Sequence, residues 1–467
     1  MSLEYIFPRV EINEAETGPR PAAGVSLSTI GIVGTFDKGP VNQIVSVGSI
    51  DKLTEVFGGY KSDLTGYKSA VAAFSQGAND FKIVRVGGSS IKEAALKLKD
   101  SSDADVVEIK AGTPGEWGNA IRVAVTNNTE AGTFRLTVVY QNKSEVFDSL
   151  TLDTVKDIQS KYVAAAKLEA AVQLPKDMQA TPLAGGNNGA DAADGDYIGT
   201  VVNGKRTGLK LLETARVAIV LCAQQYSSTI RNALITHCAN MTTGYGLRIA
   251  VLNPEKGLSV DDVCQETADI DSMRAVMAYP WCRIADIAGE FIAPDGLFAG
   301  KLATLDSNQS PSNKQVLGIV EQEVDFTDAD VKALTLARIS PVTPEHNRGF
   351  RIRNGVSLST DPAWNQISMR RVFDEIEMEI FDGTQWAKSE ENTPRLREAI
   401  ATQIDGILDI KKQKGKIYDY KPTVCDDTNN TPESIAARIL NTKIRIRPTY
   451  PADYIDHSIQ RLMDSEA

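Results

Sequence analysis

Residues 348–386 read RGFRIRNGVSLSTDPAWNQISMRRVFDEIEMEIFDGTQW and contain a strand pattern followed by a helix pattern. In the first part, apolar residues alternate with polar ones, at Phe350, Ile352, Val356 and Leu358. This alternation predicts a strand, and the Ser-Thr-Asp-Pro run at 359–362 supplies the capping oxygens and the proline that begin many helices. Apolar residues then recur at helical spacing from Ile367 to Ile380, and Gly383 is expected to end the helix.

The same stretch carries a group of positively charged side chains, namely Arg348, Arg351, Arg353, Arg370 and Arg371. The protein as a whole is acidic, with a formal net charge of -11. A local basic patch on an acidic molecule indicates an acidic partner, or an acidic strip on a neighbouring molecule. Pairing within the chain, with Asp374, Glu375 or Glu377, is the alternative that the sequence leaves open.

Length and composition narrow the classes of protein to be considered. The 467 residues suffice for about three domains, and the acidic net charge argues against general nucleic-acid binding, which requires a basic face. The five cysteines form no Cys-x-x-Cys pair, which predicts buried reduced thiols and synthesis in a reducing cytoplasm. The N-terminal residues do not resemble a signal peptide, and no apolar run is long enough to predict a membrane span.

The order of the predicted elements divides the chain into a body, an insertion and a C-terminal domain. Strands alternating with helices at 25–102 and 196–345 predict an α/β body with a mostly parallel sheet. Residues 103–195 contain several strand-like runs, an alanine-rich segment at 153–173 that predicts a helix, and a polar return loop. The fold class is therefore multidomain α/β and α+β, with a small β-rich inserted domain and a C-terminal α+β domain at 346–440.

Both ends of the chain are predicted to be extended arms, at 1–24 and 441–467. Strand-like residues in these arms are Val10 and Ile12 near the start, and Ile444, Arg445, Ile446 and Arg447 near the end. Neither segment has a neighbouring strand in the sequence with which to form a hairpin. Because a lone strand leaves its backbone hydrogen-bonding groups unpaired, we expect both arms to pair with other chains rather than with their own body.

Motifs for catalysis, metal binding or cofactor binding do not occur in the sequence. The three histidines, His237, His346 and His457, fall in separate predicted elements, and there is no zinc, P-loop or nucleophile-elbow motif. The sequence therefore predicts a protein that is not an enzyme and that has no cofactor and no metal site. An α/β enzyme with an unrecognised active site remains the alternative, because the fold alone does not define a function.

Several motifs resemble those of contractile tail sheath proteins, which occur in phages with contractile tails and in related bacteriocins and injection machines. On the C-terminal side they are Arg348-Gly349, the run 359–364, Arg370-Arg371-x-Phe373 and the run 383–386. Further motifs in matching order are Gly18-Pro19-Arg20-Pro21, the run 185–189 and Tyr279-Pro280-Trp281. The resemblance extends from residue 9 to residue 448, although residues 354–357 replace a longer Gly-Arg-Gly pattern of the family.

The resemblance implies a structural subunit that polymerises as a homo-oligomer, in stacked hexameric rings around an inner tail tube protein. It implies contraction without a nucleotide, which drives the tube through a bacterial envelope, and contacts with baseplate and tail terminator proteins. It implies no direct nucleic-acid contact, no membrane insertion, and a place in the virion tail after assembly in the bacterial host cytoplasm. In such a polymer the arm residues would form inter-subunit strands, the five arginines would face the tube or a neighbouring subunit, and the insertion would lie outside.

Overall fold

The computed structural model describes residues 25–128 and 132–460, which fall into two units. The large unit comprises Ser26–Glu375 and the described part of Tyr450–Ala467. The small unit comprises Ile376–Thr449 together with Val25. The N-terminal arm, including Val10 and Ile12, lies outside the described residues.

The described secondary structure consists of short strands and mostly short helices. The strands are β1 (Ile30–Gly34), β2 (Ile44–Val47), β3 (Phe81–Arg85), β4 (Ala95–Lys99), β5 (Asp105–Ala111), β6 (Arg122–Asn127), β7 (Phe134–Tyr140), β8 (Lys143–Leu150), β9 (Val163–Lys167), β10 (Met178–Pro182), β11 (Val201–Val202), β12 (Lys205–Arg206), β13 (Ile219–Cys222), β14 (Ile249–Leu252), β15 (Ala275–Tyr279), β16 (Cys282–Ile284), β17 (Ile287–Ile292), β18 (Ile319–Gln322), β19 (Ser340–Glu345), β20 (Gly349–Ile352), β21 (Ile417–Val424) and β22 (Lys443–Pro448). The helices are α1 (Ile50–Phe57), α2 (Gly66–Phe74), α3 (Asp194–Ile198), α4 (Ser228–Ala239), α5 (Val260–Thr267), α6 (Asp295–Thr304), α7 (Asp328–Leu336), α8 (Ile367–Thr384), α9 (Pro394–Gln413) and α10 (Pro432–Ala436).

The large unit is built on an eight-stranded sheet with the order β2-β3-β1-β13-β14-β15-β19-β20. Its six inner strands pair in parallel, and the two edge strands, β2 and β20, pair antiparallel with their neighbours. Ile32 and Val33, adjacent on β1, pack into two different hydrophobic cores, because successive side chains of a strand point to opposite faces. A sheet buried on both faces needs apolar residues at every position, which explains the continuous apolar runs that predicted a parallel α/β body.

The insertion, β4 to β10, forms two small sheets around a core of its own. Strands β4, β5 and β9 form one sheet, and β10, β6, β7 and β8 form the other. The predicted helix at 153–173 is wrong, because β9 occupies part of this segment and pairs with β5. Val163 and Ala165 are buried while Ala164 and Ala166 are exposed, so pairing with a half-buried sheet overrides the helix propensity of alanine.

The small unit contains α9, α10 and the two-stranded sheet of β21 and β22, and α8 runs into it from the large unit. The predicted helix start at the 359–362 run is wrong, because residues 362–364 form a turn and α8 begins at Ile367, where the apolar helical spacing begins. Gly383 does not end the helix as expected, since α8 continues to Thr384. The predicted domain start at residue 346 differs from the observed division at Ile376. The difference arises because β20, read as the first strand of the C-terminal domain, pairs with β19 and completes the sheet of the body.

Candidate assembly surfaces

The ribbon of β21 and β22 is the first surface suited to assembly. Strand β22 pairs antiparallel with β21, so the expectation that residues 443–448 lack a partner in their own chain is wrong. Strand β21 could not be recognised as the partner from neighbouring residues, because helix α10 and two loops separate the two strands in the sequence. Among the described residues the ribbon has only two strands, so each keeps one open edge that a further strand can join.

The side chains of β22 alternate between its two faces. Ile444 and Ile446 are half-buried, whereas Arg445 and Arg447 are exposed. The Arg447 guanidinium lies 5.4 Å from the centre of the Tyr418 ring, a cation–π contact across the ribbon. Exposed cations on an edge strand disfavour unselective pairing with other strand edges.

A second surface lies on the β19–β20 hairpin, where Glu345 is surrounded by three of the five predicted arginines. The Glu345 carboxylate lies 2.7 Å from the Arg348 guanidinium, 2.8 Å from that of Arg353 and 3.6 Å from Nε of Arg351. Arg351 also donates to the Asn313 carbonyl at 2.5 Å. Three arginines and one glutamate give this group, called the Glu345 cluster below, a formal net charge of +2.

The other two arginines do not belong to that surface, and the expectation of one exposed five-arginine patch is wrong. Arg370 and Arg371 are buried near the start of α8. Arg370 binds Asp374 one turn along the helix at 2.9 Å, and Arg274 binds the same carboxylate through two hydrogen bonds of 2.8 Å. For Arg370, the alternative of pairing within the chain is therefore confirmed.

Arg371 is held by backbone oxygens. Its guanidinium donates to the carbonyls of Leu305 at 3.1 Å, and of Asp306 and Leu27 at 3.4 Å. Burial lowers the pKa of Arg371 to about 10, which nearby acidic groups, Glu375 first among them, partly oppose. No local signal in the sequence identifies these carbonyls, because they lie far from Arg371 along the chain.

The carboxyl ends of the parallel strands, where open α/β sheets usually bind ligands, are closed by a buried polar cluster. Asp295 is fully buried and accepts hydrogen bonds from Ser69 Oγ at 2.8 Å, the Gln224 backbone N–H at 2.8 Å and Asn253 Nδ2 at 2.9 Å. Burial raises the pKa of this carboxyl group, although its hydrogen bonds act in the opposite direction. Ser69 lies on α2 and Asp295 on α6, while Gln224 and Asn253 follow β13 and β14. The cluster therefore connects these two helices to the ends of the strands, at the position where such sheets usually have an active site.

His237, Cys238 and Cys282 of the large unit are buried, and burial shifts the pKa of each side chain. His237 Nε2 lies 3.1 Å from the Arg248 guanidinium, and burial is the main cause that lowers the pKa of His237 to about 3. Burial raises the pKa of the Cys238 and Cys282 thiols to about 12, which makes both weak nucleophiles. Within the described ranges, no group of three or more His, Cys, Asp or Glu side chains is arranged to hold a metal ion.

None of the helices in the described residues combines the length and apolar character that crossing a membrane requires.

Comparison with known proteins connects the C-terminal part of the chain to tail sheath proteins. Residues 359–461 match the family model of the phage tail sheath C-terminal domain. The tail sheath protein of Enterobacteria phage T4 is 26% identical over 172 residues, and that of Vibrio phage KVP40 is 27% identical over 169 residues. These alignments cover 37% and 34% of this chain and span only a quarter of each phage protein. The resemblance to sheath proteins is thereby confirmed, and these relatives are structural proteins rather than enzymes.

Solved structures extend the likeness in fold to nearly the whole chain. A sheath tail protein from Desulfitobacterium hafniense superposes with a TM-score of 0.65 over 90% of this chain and 94% of its own, at 13% identity. The contracted sheath complex of an extracellular contractile injection system gives a TM-score of 0.61 over 98% of both chains, at 15% identity. At such low identity these likenesses establish the fold alone.

Proposed function

We propose that this chain, with its match to the phage tail sheath C-terminal domain, is the structural subunit of a contractile tail sheath. The match at residues 359–461 is the observation that carries the proposal, and the fold likeness beyond that segment supports it. The subunits polymerise as stacked hexameric rings around an inner tube and contract to drive that tube through a bacterial envelope. The energy is stored in an extended lattice and released when subunits repack, so contraction requires no nucleotide.

Strands donated between neighbouring subunits join the polymer in this proposal. The ribbon of β21 and β22 supports this because it has two open edges among the described residues. Main-chain hydrogen bonds contribute about 0.5–1.5 kcal/mol net each, so one added strand of several residues gives a substantial link. The N-terminal arm is the proposed donor. Residues 450–460 are a second candidate, because the large apolar side chains of Tyr454, Ile455 and Ile459 are 91%, 73% and 92% exposed.

The Glu345 cluster is proposed to contact an acidic partner, either the inner tube or a strip on a neighbouring subunit. Its net charge of +2 on an acidic protein supports this assignment. Surface ion pairs contribute only about 0–1 kcal/mol each and weaken with salt, which suits a contact that must be released on contraction. Baseplate and tail terminator proteins complete the proposed partners at the two ends of the sheath, in a virion tail assembled in the host cytoplasm.

The insertion is proposed to lie on the outside of the sheath, because its own core makes it independent of the polymer contacts. The alternative of an α/β enzyme is not retained. The position where such a sheet would bind a substrate holds the buried Asp295 cluster, whose polar groups already bind one another.

Electron microscopy of the purified chain, alone and together with the inner tube protein of the same particle, tests the proposal. The expected result is rings or tubes of the chain alone and longer, tube-filled sheaths with the partner. Discrete particles under all conditions, with no ordered polymer, would overturn the proposal. Particles that turn over a substrate would favour the enzyme instead.

A further inference from the structure

Arg85, the last residue of β3, lies where the chain leaves the body for the insertion. It is fully buried, and within the described residues it has no carboxylate at ion-pairing distance. Burial lowers its pKa to about 10, with Asp37 the nearby charge that opposes this shift. A buried guanidinium requires hydrogen-bond acceptors for its N–H donors. Within the described residues the two terminal nitrogens of Arg85 have such acceptors, whereas its Nε has none.

The partners of Arg85 come from three separate segments. One terminal nitrogen donates to the carbonyl of Gly39, in the body, at 2.8 Å, and to that of Pro114, in the insertion, at 2.7 Å. The other donates to the carbonyl of Asn188, on the segment that returns to the body, at 3.5 Å. A single side chain thus contacts the body, the insertion and the segment that returns from the insertion to the body.

The two crossing segments are bound to each other and to the insertion, where the Gly115 N–H donates to the Lys92 carbonyl at 3.0 Å and the Asn119 side chain exchanges two hydrogen bonds with Gly186. Gly88 N–H donates to the Gly189 carbonyl at 2.9 Å, and Lys92 and Asn187 exchange two backbone hydrogen bonds of 3.1 and 3.0 Å. We call this paired segment, residues 86–94 with 184–190, the neck. These bonds hold the neck and the insertion together, whereas the backbone bond from the Val86 N–H to the Gly34 carbonyl, 2.9 Å, joins the neck to the body.

Few other contacts at this place connect body and insertion. The Gly39 N–H donates to Thr113 Oγ1 at 3.1 Å, and the Lys38 ammonium lies 5.9 Å from the centres of the Trp117 and Tyr140 rings. Such contacts are weaker than hydrogen bonds from a buried cation. The close approach of Gly115, where a Cβ would lie 2.1 Å from the Asp37 carbonyl oxygen, shows how tightly the insertion fits there.

From these contacts we infer that Arg85 is a positioning residue that fixes the orientation of the insertion relative to the α/β body. Without it, the neck acts as a hinge and the insertion samples a range of orientations, while both cores remain folded. The consequence for a sheath, that the insertion moves with the body during contraction, rests on the proposed function. The orientation itself does not, and it can be measured on the unassembled chain.

The test compares Arg85→Met with Arg248→Met. Arg248 is a matched control because it is also fully buried and also donates to several backbone carbonyls, those of Leu212, Ala215 and Tyr245, but it lies within the body. Spin labels on cysteines introduced at Asn142, in the insertion, and Lys332, in the body, report the distribution of distances. A Cys264→Ser background removes the one native cysteine that is not buried.

Arg85→Met is expected to broaden this distribution and to accelerate amide hydrogen exchange at Gly39 by about tenfold or more, as the loss of a hydrogen bond to a charged group allows. Arg248→Met is expected to lower thermal stability without broadening the distribution. Equal broadening in both variants, or none in Arg85→Met, overturns the inference.

Two milder variants keep the inference testable if Arg85→Met does not fold. Arg85→Lys retains a cation with three donors, and Thr113→Val removes only the bond from the Gly39 N–H. Both are expected to broaden the distribution relative to that of the unmodified chain. Distributions identical to that of the unmodified chain in both variants would contradict the assigned role.

Discussion

Charge changes in the Glu345 cluster can separate a role in folding from a role in binding a partner. The double variant Glu345→Arg with Arg353→Glu exchanges one ion pair and keeps the net charge of the cluster at +2. A second variant adds Arg348→Glu and Arg351→Gln, which brings the net charge to -1 while opposite charges still face each other. Glutamine is chosen at 351 because its amide can still donate to the Asn313 carbonyl.

The geometry sets the expected cost of these changes to the unassembled chain. The side chains of Glu345, Arg351 and Arg353 are 19%, 17% and 34% exposed, so the pairs lie between surface and interior. Reversing Arg353 alone removes one attraction and adds one repulsion, which we estimate at about 1–2 kcal/mol in this partly exposed setting. The exchanged and inverted variants retain opposite-charge pairs and should stay within about 1–2 kcal/mol of the unmodified chain.

The assay is assembly with the tube protein at low and high salt, scored by electron microscopy, with denaturant unfolding of the unassembled chain as the control for folding. If the cluster binds an acidic partner, the exchanged variant should form extended, tube-filled sheaths. The inverted variant should give empty or prematurely contracted ones, most clearly at low salt, where screening is weakest. Extended, tube-filled sheaths from the inverted variant at both salt concentrations would refute the assignment.

Three further predictions concern the arm, the insertion and a buried histidine. Deleting residues 1–16 should leave a folded chain that does not polymerise, and unimpaired sheath assembly would contradict the strand-donation proposal. Replacing residues 93–186 by a short Gly-Ser linker should still permit assembly, because Lys92 and Asn187 are already paired; a soluble, folded monomer that never assembles would count against an outer insertion. His237 has a folded-state pKa near 3, below the unfolded value of about 6.5, so stability is fully present above pH 6.5 and falls as the pH drops. At pH 5, His237 is expected to lower the free energy of unfolding by about 2 kcal/mol, as measured by denaturant unfolding. His237→Gln should remove that part of the pH dependence.

Local patterns in the sequence correctly predicted helices and strands whose apolar spacing lies within the element itself. The apolar spacing from Ile367 to Ile380 predicted a helix, and α8 covers this segment. Continuous apolar runs predicted the parallel strands. Because these strands are buried on both faces, their apolar residues do not alternate with polar ones. Each of these signals lies within a few residues of the structure that it specifies.

Partners that are distant in the sequence explain the predictions that failed. Arg370 and Arg371 look like surface charges in a linear pattern, and only the folded chain brings Arg274 and the Leu305 carbonyl next to them. The alanine-rich segment has a helical composition, yet the edge of β5 makes β9 a strand. Asp374, which also binds Arg370, lies only four residues away and was named as a possible partner. Arg274, the Leu305 carbonyl and strand β5 each lie more than 50 residues from the residues whose structure they decide, so a short window on the sequence does not contain them.

The strand β22 shows how such a correction changes the expected assembly mechanism. As an unpaired arm, residues 443–448 would have to become ordered on a neighbouring subunit, and the entropy lost on ordering would oppose assembly. Paired with β21, the strand is ordered when its own subunit folds, and it presents a ready edge to an incoming strand. If a neighbouring subunit donates a strand to this ribbon, as proposed, only the donated segment loses conformational freedom on assembly. In this scheme, shortening the donor weakens the polymer, whereas disrupting β22 also impairs the small unit itself.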